Sequence, residues 1–300
     1  MSVTSGILLL DKPPGLTSHD VVARVRRAAG TRKVGHAGTL DPMATGLLLV
    51  GVNHATRLLH YLVGLDKEYL ATIRLGWPTS TDDAEGEPGE RATDAALAAA
   101  DEPAIRAGIA QLTGEIEQVP SRVSAVKIDG RRAYARVRDG ETVEIAPRRV
   151  TVSAFELGAI RAGEGFLDLE VRVEVSSGTY VRALARDLGA ALGTGGHLTM
   201  LRRTRIGAFR VTDAASLDGL DVPASILSPA DAARRAMPAV ELDAEAARDL
   251  GHGKRIAAPD GVADGPVAAI GPGDRLVAIV ERRGGTLKVA AGFPNEEDSA

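Results

Sequence analysis

The stretch VGHAGTLDPMATGLLLVGV (34–52) holds a single carboxylate, Asp41, among small and apolar residues, with His36 shortly before it. An aspartate ahead of a proline in such a loop has two readings. It closes an Asx-turn or caps a helix. Alternatively, because the loop runs into the unbroken apolar segment LLLVGV, its carboxylate lies near the core. An acid placed there needs a cation or several donors to stay ionised. Arg182, in the first turn of an expected helix that follows another core strand, is the candidate cation.

The rest of the chain narrows the chemistry. Its histidines are scattered without HxH or HExxH spacing, which argues against a catalytic metal, and the lack of cysteine excludes disulfides and thiolate metal sites. No GxSxG elbow or GxxxxGK[ST] phosphate loop occurs. Glycosidase chemistry wants two carboxylates about 5–10 Å apart, and the Asp41 loop offers one. GHGKRI (251–256) reads as a turn and GTGGH (193–197) as a helix end.

The elements that must position these residues follow from periodicity. Gly6–Leu10 is a short buried strand. Ser18 is read as the N-cap of a helix over HDVVARVRRAAG, which Gly30 stops. LLLVGV is a strand buried on both faces, and Asn53 caps a short helix after it. KEYLATIRLG is a strand with Tyr69 near its start. The Gly-, Pro- and acid-rich segment 77–94 is read as an exposed loop. A helix follows over 102–114, then a basic excursion with little core of its own. RRVTVSAFELGAI is a strand, and FLDLEVRVEV alternates cleanly as a half-buried one. SSGTYVRALARDLGAAL is a turn and a helix with a buried stripe. Beyond residue 237, short apolar strands between Gly-rich turns suggest a small β-rich module. There is no regular βαβ rhythm, so a doubly wound nucleotide fold is not expected.

Net charge is −4 and apolar content 44%, ordinary for a globular protein. The charge is unevenly spread. Residues 82–118 are acidic apart from Arg91 and Arg106, whereas 119–150 carry Arg122, Lys127, Arg131, Arg132, Arg136, Arg138, Arg148 and Arg149. RVRRAAGTRK (24–33) and LRRTRIGAFR (201–210) add two more basic clusters. Local positive potential, rather than net charge, governs phosphate binding, so an RNA partner stays open. The N-terminal apolar run is too short for a signal peptide or a membrane span, and a cytoplasmic location is expected.

GILLLDKPPGLTSHDVV, KVGHAGTLDPMATGLLLVGV, DKEYLATIRLG, QVPSRVSAVKIDGRRAYARVRDG, SSGTYVRALARDLG and HLTMLRRTRIGAF stand in this order along the chain. Together they resemble the successive motifs of the TruB-type tRNA pseudouridine synthases, over roughly residues 6–210. The resemblance implies the pseudouridine synthase fold, an α/β (α+β-like) domain around a mixed, largely antiparallel sheet flanked by helices. It would span 1–236, with a basic thumb insertion at about 120–147. A PUA-like RNA-binding module with an acidic tail would occupy 237–300. The implied activity is conversion of uridine 55 in the tRNA T-loop to pseudouridine, by base flipping, without cofactor or metal.

On that resemblance Asp41 takes the place of the catalytic nucleophile, Tyr69 of the tyrosine stacked on the target base, and Arg182 of the arginine paired with the aspartate. His36 matches the loop histidine that contacts RNA. Lys12, Arg122, Lys127, Arg131, Arg132, Tyr134, Arg202 and Arg203 complete the expected RNA contacts. Unstacking the uridine costs a few kcal/mol, and stacking on Tyr69 would return about 1–3 kcal/mol. The expected partner is the tRNA T-arm, bound by a monomer with no obligate protein partner. The rival readings are a non-catalytic tRNA-folding chaperone and a guide-RNA-dependent relative.

Overall fold

The computed structural model describes residues 4–121, 127–128, 131–132 and 145–294, the two short middle pieces by their backbone alone. The chain divides into two compact units, Met1–Leu65 with Arg205–Ala300, and Asp66–Thr204.

The first unit is built on β1 (Gly6–Lys12) and β3 (Thr45–Val52), antiparallel from Gly6 opposite Val52 to Lys12 opposite Gly46. Helix α1 (Ser18–Ala29) and the short strand β2 (Val34–His36) lie between them in sequence. Both strands are apolar on both faces because both faces are covered. Leu8, Leu10, Leu48 and Val50 pack with Val21, Val22 and Val25 of α1. Ile7, Leu9, Leu47 and Leu49 share a second cluster with Leu58, Ala268, Ile270 and Ile279. Each such Leu, Ile or Val contributes about 1.5–3 kcal/mol by burial, so the end of β3 from which the Asp41 loop emerges is firmly anchored.

Two local expectations are corrected. The N-cap of α1 is Thr17, not Ser18: Thr17 Oγ1 accepts from Asp20 N–H at 3.1 Å, and the Asp20 carboxylate accepts from Thr17 N–H at 2.8 Å. This capping box ties off two helix-end groups and leaves the Ser18 hydroxyl for another use. Asn53 does not cap the next helix by its side chain. It stands in the left-handed region at φ 53°, starts a 3₁₀ turn (Asn53–Leu58), and accepts from the Thr31 hydroxyl at 2.8 Å.

In the second unit, β4 (Lys67–Leu75), β5 (Gly114–Gln118), β6 (Arg148–Gly163) and β7 (Phe166–Val175) form an antiparallel sheet in the order β4, β7, β6, β5. Helices α2 (Glu102–Gln111) and α3 (Val181–Ala191) belong to this unit, as does β8 (Gly196–Ile206) through Thr204, which lies beside β4. Tyr69, Ala71, Ile73 and Leu75 alternate into the dry side of β4, matching Leu169, Val171, Val173 and Val175 of β7. Gly189 lets α3 lie against the chain at Gly195, where a Cβ would come within 2.3 Å of the backbone.

The C-terminal part of the first unit carries α4 (Pro229–Ala236), β9 (Ala239–Glu241), α5 (Ala244–Gly251), β10 (Pro266–Gly271), β11 (Arg275–Arg283) and β12 (Thr286–Gly292). With Ile256–Ala257 its strands make a small five-stranded sheet, bulged at Ala269/Ile270 and Ile279/Val280. The fold is mixed α/β with largely antiparallel sheet flanked by helices and a small curled C-terminal sheet, as the sequence led us to expect.

Candidate active site

Asp41 sits in the first unit on a loop held from both sides. Before it, Leu40 is buried; its N–H donates to Ser18 Oγ at 2.8 Å, and the same hydroxyl donates back to Leu40 O at 3.1 Å. After it, Pro42 O accepts from Gly15 N–H at 2.8 Å and from Lys12 Nζ at 3.2 Å. A turn closes from Ala44 N–H to Asp41 O at 3.1 Å. The loop is therefore pinned onto the 12–18 segment, and Asp41 itself is half-buried beside buried Leu40 and Ala44.

Lys12 is fully buried and also donates to Pro13 O at 3.0 Å and Leu16 O at 2.7 Å. Three charge-assisted bonds to carbonyls offset the cost of desolvating an ammonium. The charge expected to face RNA here serves the loop. His36 ends β2, and its ring meets His19 of α1 edge-on with centroids 5.5 Å apart.

Arg182 and Tyr69 belong to the second unit. Arg182 is buried near the start of α3; its guanidinium donates to Thr81 O at 2.8 Å and lies 3.3 Å from Asp83 Oδ2. Asp83 is buried as well, and its other oxygen accepts from the Thr81 hydroxyl and from Glu85 N–H at 3.1 Å. Its neighbour Asp82, at φ 62°, places a carboxylate oxygen 3.2 Å from Arg186 Nη1. Segment 77–94 is therefore not wholly the exposed loop its composition suggested. Asp82 and Asp83 turn inward because α3 carries two arginines that require counter-charges.

The N-terminal end of α3 is fastened again by Gln118. Its amide donates to Tyr180 O at 3.1 Å and accepts from Tyr180 N–H at 2.8 Å, while Arg186 donates to Val119 O at 2.8 Å. Burial raises the carboxyl pKa of Asp187 on the same helix, against the pull of Arg186.

Tyr69 is buried on β4 opposite Val173. Two residues earlier, Lys67 is buried too, and its pKa falls to about 8, through desolvation first and repulsion from Arg203 second, with Asp66 opposing. Arg203 is fully buried, whereas Arg202 is partly exposed. Arg122 and Tyr134 lie outside the described residues, as do the side chains of Lys127, Arg131 and Arg132. Among the described residues no group of three His, Cys, Asp or Glu could hold a metal ion, and no helix is long and apolar enough to cross a membrane.

Reasoning from sequence missed Ser18, Asp83 and Gln118 as residues that place the candidate groups. Ser18 was assigned to capping and Asp83 to a solvated acidic loop. Arg182 had been matched with Asp41 alone, so nothing in residue order singled out Asp83 as a counter-charge.

Residues 26–181 match the N-terminal domain model of the TruB family pseudouridylate synthases. Residues 182–234 match the tRNA pseudouridylate synthase B C-terminal domain, and 237–294 the tRNA pseudouridine synthase II C-terminal model. The tRNA pseudouridine synthase B of Leifsonia xyli is 59% identical over 297 residues, 98% of each chain. That of Thermobifida fusca is 54% identical over 295 residues, 97% of this chain and 99% of the relative. Among solved structures, a Cbf5-Nop10-Gar1 complex contains a chain that is 30% identical with a TM-score of 0.73, covering 97% of this chain and 86% of that one. The chain belongs to the TruB family of pseudouridylate synthases.

Proposed function

We propose that this TruB-family synthase isomerises uridine 55 in the T-loop of tRNA, with Asp41 as the nucleophile. Tyr69 and Arg182 carry the remaining catalytic roles. In the reaction the bond from ribose C1′ to N1 of uracil breaks, the base turns, and a bond forms from C1′ to C5. The proton on C5 is lost and N1 gains one, so substrate and product have the same composition and oxidation state. No step requires a redox group. A carboxylate suits the central role because it can add covalently and leave again.

Support for tRNA as substrate comes chiefly from one observation: near-full-length identity of 59% to a relative called tRNA pseudouridine synthase B. Support for Asp41 comes from a loop whose backbone is bonded on both sides of that residue. Residues 1–236 would supply the chemistry and 237–300 an RNA-binding module, in a cytoplasmic monomer. The insertion at about 120–147 would grip phosphates, so binding should weaken steeply with salt.

The test is incubation of the purified chain alone with an unmodified tRNA transcript, read by carbodiimide labelling and primer extension. Absence of product at the T-loop uridine defeats the reading, and a requirement for guide RNA would favour the guide-dependent alternative. If Asp41→Asn forms product at the wild-type rate, the nucleophile assignment fails. An Asp41→Asn protein that still speeds tRNA folding would establish a separate chaperone role.

A further inference from the structure

We propose that Ser18 is a positioning residue for Asp41, setting the backbone from which the carboxylate projects by bonding both the N–H and the C=O of Leu40. The inference rests on the reading of Asp41 as the reacting group.

Three observations carry it. First, the hydroxyl is not needed for the helix, since Thr17 and Asp20 already form the capping box. Second, Ser18 is 1% exposed and Leu40 3%, so both groups of the Leu40 backbone meet the hydroxyl out of water. Third, the two sides of Asp41 are unequal. Residue 42 is a proline with no N–H, so Lys12 and Gly15 hold it through its carbonyl. On the preceding side Ser18 bonds a donor and an acceptor of the same residue, which constrains rotation of the peptides on either side of Leu40. A tilt of the peptide joining Leu40 to Asp41 would swing the carboxylate, and a displacement of about 1 Å in a reacting group can cost about a hundredfold in rate.

Single-turnover rate and tRNA affinity should be measured separately for Ser18→Ala, Ser18→Thr and Ser5→Ala. Ser5 supplies a control in the same unit, a buried hydroxyl that accepts from His54 N–H at 3.2 Å away from the loop. Ser18→Ala should slow the chemical step about tenfold or more, with the tRNA Kd within about twofold of wild type. Ser18→Thr, which keeps the hydroxyl, should recover most of that loss. Ser5→Ala should lower the melting temperature and leave the rate alone.

A rate for Ser18→Ala no lower than that for Ser5→Ala would overturn the proposal, as would a parallel loss of affinity. A Ser18→Thr protein as slow as Ser18→Ala would also overturn it. Should Ser18→Ala not accumulate as folded protein, Ser18→Cys carries the same comparison with only a weak donor and acceptor. Asp41→Asn runs alongside. If it is inactive while Ser18→Ala is normal, the positioning role alone fails; if it is fully active, the reading of Asp41 fails first.

Discussion

The Asp41 loop and the start of α3 each present one charged side chain, and they hold it in different ways. On either side of Asp41 the neighbouring backbone is restrained: Ser18 bonds Leu40, and Lys12 and Gly15 bond Pro42. Around Arg182 a backbone restraint exists too, Gln118 on Tyr180, but the guanidinium itself is bound by Asp83 and Thr81 O. The physical situations differ. A loop of Gly, Thr and Pro has no hydrogen-bond ladder, so its direction must be imposed from outside. A helix supplies direction, but an arginine in its first turn faces the positive end of the dipole. Burying that cation requires a nearby carboxylate. The Asp41 loop is restrained through the peptide groups beside that residue, and the Arg182 guanidinium is bound by a counter-ion as well.

Variants that break this contrast should do so in a clear order. Asp41→Asn should reduce pseudouridine formation by at least about a thousandfold, read by primer extension, with little change in the fold. Arg182→Met strips Asp83 of its cation and should cost about 3–5 kcal/mol of stability, measured by urea unfolding. A loss well under that range would mean that the Asp83 pair is not what holds α3.

Lys67 is a buried cation of a different kind, repelled by its neighbour Arg203. Its folded pKa, about 8, lies below the unfolded value, so between the two the unfolded chain binds more protons. Stability from this group should therefore rise as pH climbs from about 8 to about 10.4, by at most about 3 kcal/mol. Melting curves across that window should show a slope in the wild type that Lys67→Met lacks.

Smaller effects follow at the loop. Lys12→Met removes three bonds to carbonyls together with a buried charge, and these oppose each other, so the net loss should be about 2 kcal/mol. Thr17→Ala removes only the helix cap, worth about 1 kcal/mol, and should leave the reaction rate unchanged. If Thr17→Ala slowed the reaction as much as Ser18→Ala, capping and loop placement would not be separable functions.

Much of the fold was legible in the chain. The run GILLL announced a buried strand, LLLVGV one covered on both faces, and alternation in FLDLEVRVEV one dry face. The helix bearing Arg182 declared itself by its apolar stripe. Patterns of this kind are local, because the period of a helix or strand converts residue order directly into a buried side. Asp41 could be singled out as a lone acid, and the six ordered motifs supplied its family.

Residue order thus sets which segments form elements, which of their faces are dry, and which residue types are available for chemistry. The use of the charged and polar groups follows from the packing of distant segments. Ser18 bonds Leu40 instead of capping α1, Asp83 turns inward to Arg182, and Lys12 and Arg203 are buried rather than displayed. Each of these joins or encloses groups far apart in the chain. A hydroxyl, a carboxylate or an ammonium has no fixed partner until folding removes water, and the donors and acceptors then within reach decide its role.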